Sequence, residues 1–291
     1  MVIIMKKTTN FLQRIIGEVL WLLGFTYVVH AENPWESENI VKKWVAKTTL
    51  EKPEETILNE LRVELPKMMM LDIGVGGGRT THDFAPLTRE YVGVDNSEKM
   101  IRACRQEFRN YQKRITWEVA DARNLPFEGS CFDFVLFSGC SIDLLNHDDR
   151  IRTLLEIQRV TKNGGYLCFS ARNLNYAWKY TIFKARSRKP QDLLFEARRL
   201  FLTRLINRKV WKILRGNNQT RQGHLTFNDA VGAEHDFKLN IYYIAPKEQI
   251  DQLTNLNFKH IRTYNLLGNE IKNPSELRSA MDFSLYYLCN V

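Results

Sequence analysis

The sequence predicts an α/β fold, on three observations. Short apolar runs of strand length alternate with longer helical stretches from Met68 to Ser170. The first run leads through a glycine-rich turn into a helix start. The second run ends in an acid, so strand, turn, helix, strand and acid follow one another as in a nucleotide-binding βαβ unit. The chain has 291 residues, 44% of them apolar. That suffices for one large decorated α/β domain or two small ones.

The elements justify themselves in order. Lys6, Lys7 and Arg14 precede an uncharged run from Val19 to Val29, and Val29-His30-Ala31 has the look of a signal cleavage site. The run is too short to span a bilayer as a helix, and Glu18 stands beside it. Phe11, Leu12, Ile15, Ile16, Val19, Leu20 and Leu23 recur at helical spacing. A packed or surface-bound amphipathic helix is therefore preferred to a processed segment. Asn33 as N-cap and Pro34 at the first position open another helix, carrying Trp35, Ile40, Val41, Trp44 and Val45. A further helix, Pro53 to Val63, reaches the break at Pro66. Residues 1–66 are thus expected to form a helical extension.

The core is expected over residues 67–172. Met68 to Leu71 is a buried strand, followed by the turn Asp72-Ile73-Gly74-Val75-Gly76-Gly77-Gly78 and a helix start at Arg79-Thr80-Thr81. Glycines there let the backbone turn tightly and bring its N–H groups close to a ligand. Tyr91 to Val94 is the second strand, ending in Asp95, whose two acceptor oxygens can hold both hydroxyls of a ribose. Ser97 N-caps a helix to Tyr111, and Ile115 to Val119 is a third strand, followed by Ala120-Asp121-Ala122. Phe132 to Ser138 is apolar almost throughout, as a strand covered on both faces should be. Its carboxyl end, Ser138 to Asp143, lies where open α/β sheets bind ligands. Asp149 to Thr161 reads as a helix closed by Lys162-Asn163-Gly164-Gly165, and Tyr166 to Ser170 as the fifth strand.

The alternation then stops, and residues 173–240 form an insertion. Pro190 starts a long helix through Leu214, apolar along Leu193, Ala197, Leu200, Phe201 and Leu205, and otherwise cationic. From Arg172 to Arg221 there are fourteen Lys or Arg and two acids, a balance of +12 against +9 for the whole chain. The remainder is net acidic, so the basic character belongs to one surface. Residues 241–291 resume the core, with a helix Pro246 to Leu256 and strands Phe258 to Tyr264 and Phe283 to Cys289. The five cysteines form no C-x-x-C pair and read as reduced thiols of a cytosolic protein.

A dinucleotide fingerprint would place a third glycine where Arg79 stands. The spacing that fits is Asp72-x-Gly74-x-Gly76-x-Gly78, with Asp95 one strand later. In this the chain resembles the class I S-adenosylmethionine-dependent methyltransferases. Gln158-Arg159-Val160-Thr161-Lys162-Asn163-Gly164-Gly165 is similar to a second pattern of the family, with Asn163 replacing its usual proline. The resemblance covers Met68 to Ser170 well and Ile241 to Val291 loosely. It implies a Rossmann-like, seven-stranded, mostly parallel sheet with helices on both faces, its last strand antiparallel and inserted between the fifth and sixth. It also implies S-adenosylmethionine as cofactor, held by Asp72, Gly74, Gly76, Gly78, Asp95, Asn96, Met100, Asp121, Ala122 and Ser138. Asp121 and Ala122 match the positions that meet the adenine, against the plainer reading of a strand-end acid at the surface. Trp35 and Trp44 are placed to close over the cofactor, or simply to pack.

The implied reaction is direct displacement of a methyl group by a substrate nucleophile. A general base is needed only for a protonated nucleophile. The candidates at the carboxyl edge are Asp143, His147, His224 and His235, none singled out. There is no N-P-P-Y-like tetrapeptide, no Pro-Cys pair, and no His/Asp/Glu cluster pointing to a metal. The insertion reads first as a lid over a small-molecule acceptor. Alternatives are a nucleic-acid surface through residues 172–221 and a peripheral membrane contact. A non-catalytic cofactor-binding protein, and a nucleotide-dependent oxidoreductase disfavoured by Arg79, stay open. A cytoplasmic location is expected.

Overall fold

A computed structural model describes residues 34–36, 38–111, 115–176, 197, 223–227 and 241–291. Its strands are β1 (Met69–Ile73), β2 (Glu90–Asp95), β3 (Ile115–Val119), β4 (Phe132–Phe137), β5 (Thr161–Arg172), β6 (His224–Phe227), β7 (Ile241–Ile244), β8 (Lys259–Tyr264) and β9 (Ser284–Asn290). Seven of them form one sheet in the order β3-β2-β1-β4-β5-β9-β8. β1 to β5 pair in parallel, and β9 runs antiparallel to both β5 and β8. The implied sheet, with its last strand inserted and reversed, is the one observed.

The helices are α1 (Glu38–Val45), α2 (Lys52–Leu61), α3 (Thr81–Phe84), α4 (Glu98–Glu107), α5 (His147–Val160), α6 (Leu174–Tyr176), α7 (Pro246–Asn255) and α8 (Pro274–Ser279). Strand side chains alternate between two faces, and each face has its own core. On one, Met70, Tyr91, Phe134 and Leu136 meet Ile57 and Leu61 of α2, Phe84 of α3 and Ile101 of α4. On the other, Leu71, Val92, Val135 and Leu167 meet Leu154 and Ile157 of α5 and Leu253 of α7. Helix α2, ahead of the expected core, is thus part of the layer that covers the sheet.

Three local features depart from the expected elements. Helix α3 stops at Phe84 because Pro86 has no N–H to continue the ladder; the carbonyl of His82 accepts from Tyr111 instead, at 3.4 Å. The turn expected at Lys162–Gly165 lies inside β5. Phe132 pairs with Thr161 and Phe134 with Tyr166, so the residues between bulge from the ladder. Ile241–Ile244 pairs with His224–Phe227 in a separate antiparallel sheet, joined to the end of β5 through an Asn173–Ile244 bridge.

Residues 1–33, His235 and, but for Ala197, the helix expected over 190–214 lie outside the described residues. All five cysteines are free, and four of them are buried. Among the described residues no helix is long and apolar enough to cross a membrane.

Candidate functional site

The turn after β1 places Gly74, Gly76 and Gly78 at φ of +64°, +56° and +86°, a region that costs other residues about 1–2 kcal/mol. A Cβ on Gly74 would press Phe137 and Ser141 at 3.2 Å, and one on Gly78 would sit 2.5 Å from the Phe108 ring. On Gly76 it would meet nothing nearer than Trp44, at 3.9 Å. Gly76 therefore keeps one face of the turn open to a ligand, while Gly74 and Gly78 are small because the turn is packed.

Asp72 lies beneath this turn, 2% exposed. Its carboxylate accepts from the hydroxyls of Thr80 and Tyr91. Burial pushes its pKa up to about 6 against those hydrogen bonds. Asp72 thus fastens the helix start to the sheet from inside. Asp95, at the end of β2, is only half-buried. Its Oδ2 accepts from the Gly76 N–H and its Oδ1 from the Ser97 N–H, both at 2.9 Å. Burial raises its pKa, opposed by these donors. A carboxylate offers about four acceptor positions, and those these donors leave can take the hydroxyls of a ribose. Asn96 is exposed beside it; Met100 is buried, its N–H on the Ser97 hydroxyl.

Asp121 is held by Arg123 through its backbone N–H at 2.9 Å and its guanidinium at 2.6 Å, which keeps its carboxyl below the usual range. Arg123 also reaches Asp149 at 2.9 Å. Any adenine contact of Asp121 must use the lone pairs left over. Ala122 packs half-buried against the core.

Ser138, at the end of β4, belongs to a polar cluster that the sequence did not reveal. Arg79 forms a two-pronged ion pair with Glu54, Nη1–Oε2 2.5 Å and Nη2–Oε1 2.7 Å, and Nη2 also donates to Ser138 Oγ at 3.2 Å. Ser138 Oγ contacts Glu54 and lies 3.1 Å from the Tyr286 hydroxyl. Tyr286 reaches Glu54 at 3.0 Å and Glu51 at 3.2 Å. Burial works to raise the pKa of Glu54, but Arg79 outweighs it and leaves the carboxyl below its ordinary value. Glu51 is raised by burial and by the Glu54 charge. The sequence signal was there but ambiguous. Glu51 and Glu54 have the spacing of a capping box, which they form, and that pattern reads as an exposed helix start.

The catalytic candidates separate. Asp143 is fully buried, with one oxygen on Arg150 Nη1 at 2.6 Å and the other on the Arg172 N–H at 2.7 Å. It is thereby committed to holding the loop after β4. His147 and His224 come together, their rings parallel with centroids 4.2 Å apart. His147 Nδ1 lies 2.8 Å from the Tyr242 hydroxyl. Burial, then the neighbouring His147, pushes the pKa of His224 down. Among the described residues no cluster of His, Cys, Asp or Glu could hold a metal ion.

Helix α1 ends on the turn: a Cβ on Gly77 would run into the backbone of Trp44 and Val45. The Trp35 carbonyl accepts from Ser97 Oγ at 3.2 Å, and the Trp35 and Trp44 rings meet edge to face at 5.9 Å. Both tryptophans therefore stand over the glycine turn and the Asp95 corner.

Comparison with known proteins agrees with this geometry. Residues 70–165 match the sequence model of a methyltransferase domain. The chain is 34% identical over 101 residues to a ubiquinone/menaquinone biosynthesis C-methyltransferase of a Geobacter species, covering 33% of this chain and 42% of that one. It is 32% identical over 109 residues to a bifunctional biotin-biosynthesis protein of Cellvibrio japonicus, covering 38% and 20%. The match thus spans less than half of either relative. An S-adenosylmethionine-dependent methyltransferase from Clostridium acetobutylicum superposes with a TM-score of 0.57 at 14% identity, over 87% of this chain and 96% of its own. One from Mesorhizobium loti gives 0.53 at 16%, over 82% and 98%. Residues 70–165 thus match a methyltransferase domain, and the chain has the fold of the S-adenosylmethionine-dependent methyltransferases it superposes on.

Proposed function

We propose that the chain is an S-adenosylmethionine-dependent methyltransferase that acts on a small-molecule acceptor. The observation that carries this reading is the Asp95 corner: a strand-end carboxylate, fixed by the N–H groups of Gly76 and Ser97, beside a turn whose open face is backbone. Bound there, the cofactor supplies a methyl group on a sulfonium, open to direct displacement. The chain's own residues bind and orient. Asp95 holds the ribose hydroxyls, and Gly74, Gly76 and Gly78 let the backbone approach. Asp121 and Ala122 border the adenine, Ser138 lies at the reacting end, and Asn96 and Met100 frame the pocket. Trp35 and Trp44 keep water out, which strengthens each polar contact inside.

A small acceptor is favoured because residues 173–240 enter the fold where a lid can cover the carboxyl edge. The matched relative named for quinone biosynthesis also methylates a small molecule. A cytoplasmic location follows from the donor, a cytosolic metabolite. One observation favours a second reading, a nucleic-acid acceptor: the +12 balance of residues 172–221.

Calorimetric titration of S-adenosylmethionine and of NADH tests the central reading, with Asp95→Ala alongside. Micromolar binding of the first alone is expected. It should weaken by about tenfold or more in the variant, since each hydrogen bond to a charged acceptor contributes about 1.5–3 kcal/mol. No binding of S-adenosylmethionine by the intact protein overturns the reading.

A further inference from the structure

Two histidines and a tyrosine meet where β6 and β7 lie against the start of α5. The ring of His224, first residue of β6, stacks on that of His147, first residue of α5, with centroids 4.2 Å and planes 8° apart. Tyr242 of β7 flanks both, at 5.3 Å from His224 and 5.9 Å from His147. The hydrogen bonds around Tyr242 have a fixed direction. Arg150 can only donate, and its Nε reaches Gln252 Oε1 at 3.4 Å, where Gln249 Nε2 also donates at 3.1 Å. Gln252 is left with its amide N–H groups for Tyr242, to which its side chain hydrogen-bonds. The Tyr242 hydroxyl accepts there and keeps its proton for His147 Nδ1, 2.8 Å away. That nitrogen can accept only while the ring is neutral.

The surroundings of the pair oppose a proton. Burial first, then His147 and Arg150, disfavour charge on His224, while Glu248 of α7 favours it. Glu248 packs on the chain just before β6, where a Cβ on Gly223 would collide with it. His147 opens α5 and so lies at the positive end of that helix. The neighbouring charges are engaged elsewhere: Asp149 with Arg123 at 2.9 Å, Asp143 with Arg150 at 2.6 Å, and Lys247 with Asp251, with Asp148 exposed. Two imidazolium rings stacked at this distance would repel. We propose that the His147–His224 stack is a proton-operated latch, which holds β6 and β7 on α5 while both rings are neutral and lets β6 go when they are protonated. β6 lies inside the insertion, Ile244 of β7 is bridged to Asn173 at the end of β5, and α5 follows the loop after β4. The latch thus ties one end of the insertion to the carboxyl edge; its consequence for an acceptor lid rests on the proposed function. Folding lowers the His224 pKa from 6.5, so the latch is whole above that pH and is lost as pH falls through the lowered value.

Hydrogen exchange of the full chain, read by mass spectrometry at about pH 7.5 and about pH 5.5 and corrected for intrinsic rates, tests the latch. Protection of the β6 and β7 amides should fall about tenfold or more at the lower pH, while that of β1 and β4 does not fall. His224→Phe keeps a flat ring in the stack but takes no proton. Its β6 and β7 should hold their protection at both values within about threefold. Glu248→Gln removes the acid that favours the proton, so release should move to lower pH. Equal protection of β6 and β7 at the two values in the parent overturns the latch, as does an undiminished loss in His224→Phe. Where His224→Phe leaves β6 unprotected at both values, Glu248→Gln decides: an unmoved midpoint overturns the latch. No methyl donor enters the test, so its failure leaves the proposed function standing.

Discussion

Asp72 is a carboxyl without water, and its titration should be visible in stability. Folding raises its pKa from 3.8 to about 6, chiefly through burial. The folded state therefore holds the proton more tightly than the unfolded one. Its contribution to stability is whole below pH 3.8 and is lost as pH rises through about 6. Above that, the native state carries a buried charge at a cost of about 3 kcal/mol. Asp72→Asn keeps an acceptor for Thr80 and Tyr91 but does not titrate. Urea unfolding from pH 4 to pH 8 should show the parent losing about 3 kcal/mol relative to the variant. Parallel profiles would mean that Asp72 titrates like a surface acid. The same residue marks the limit of sequence reading. Its position, and that of Asp95, are legible because the order strand, turn, helix, strand fixes where a strand-end acid lies. Its surroundings are not. Spacing does not say that Asp72 is enclosed against Thr80 and Tyr91 while Asp95 stays half-buried on the Gly76 N–H. Arg79 and Glu54 are 25 positions apart, in elements whose mutual packing no local pattern encodes.

At the scale of the element, α1 rests on Gly77 without clearance. Gly77→Ala should push Trp44 and Val45 off the turn, at about 1–3 kcal/mol for overpacking. Limited proteolysis should then cut between α1 and α2 faster than in the parent, with far-ultraviolet circular dichroism unchanged. An unaltered cleavage rate would show that α1 does not depend on this contact. Arg150 ties three elements together, reaching Asp143 in the loop after β4 at 2.6 Å and Gln249 of α7 at 2.5 Å from its place on α5. Arg150→Met would strand the Asp143 charge and should cost about 3–5 kcal/mol in chemical unfolding. Asp143→Asn added to it should recover part of that loss. The strands β1 to β4 were legible to within two residues, since each is a bounded apolar run. The bulge in β5 was not. Asn163-Gly164-Gly165 has turn composition, and only pairing with β4 shows that the strand passes through it. Nor was the β6–β7 pair, of which β6 lies inside the insertion and β7 directly after it.

For the molecule as a whole, charge is divided rather than diluted. The segment from Arg172 to Arg221 is strongly basic and the rest net acidic. If the acceptor is small, purified protein should carry no nucleic acid, and binding to a generic oligonucleotide should fade by physiological salt. Submicromolar retention there would favour the nucleic-acid reading, because non-specific contacts alone give about 10⁻⁴–10⁻⁶ M. The position of β9 between β5 and β8 was legible only through family resemblance. Hydrophobic periodicity says that residues 284–290 form a strand, not where it inserts.

That insertion orders events during synthesis. The ribosome delivers β5 and then β8, and neither can join the other until β9 exists to lie between them. The five parallel strands can assemble first, but they do so with the β5 edge bare while more than a hundred further residues are translated. At about 5–20 residues per second that edge waits several seconds, a template for pairing with any other nascent strand. Of all the chain, this is the stretch of time in which a chaperone has most to protect.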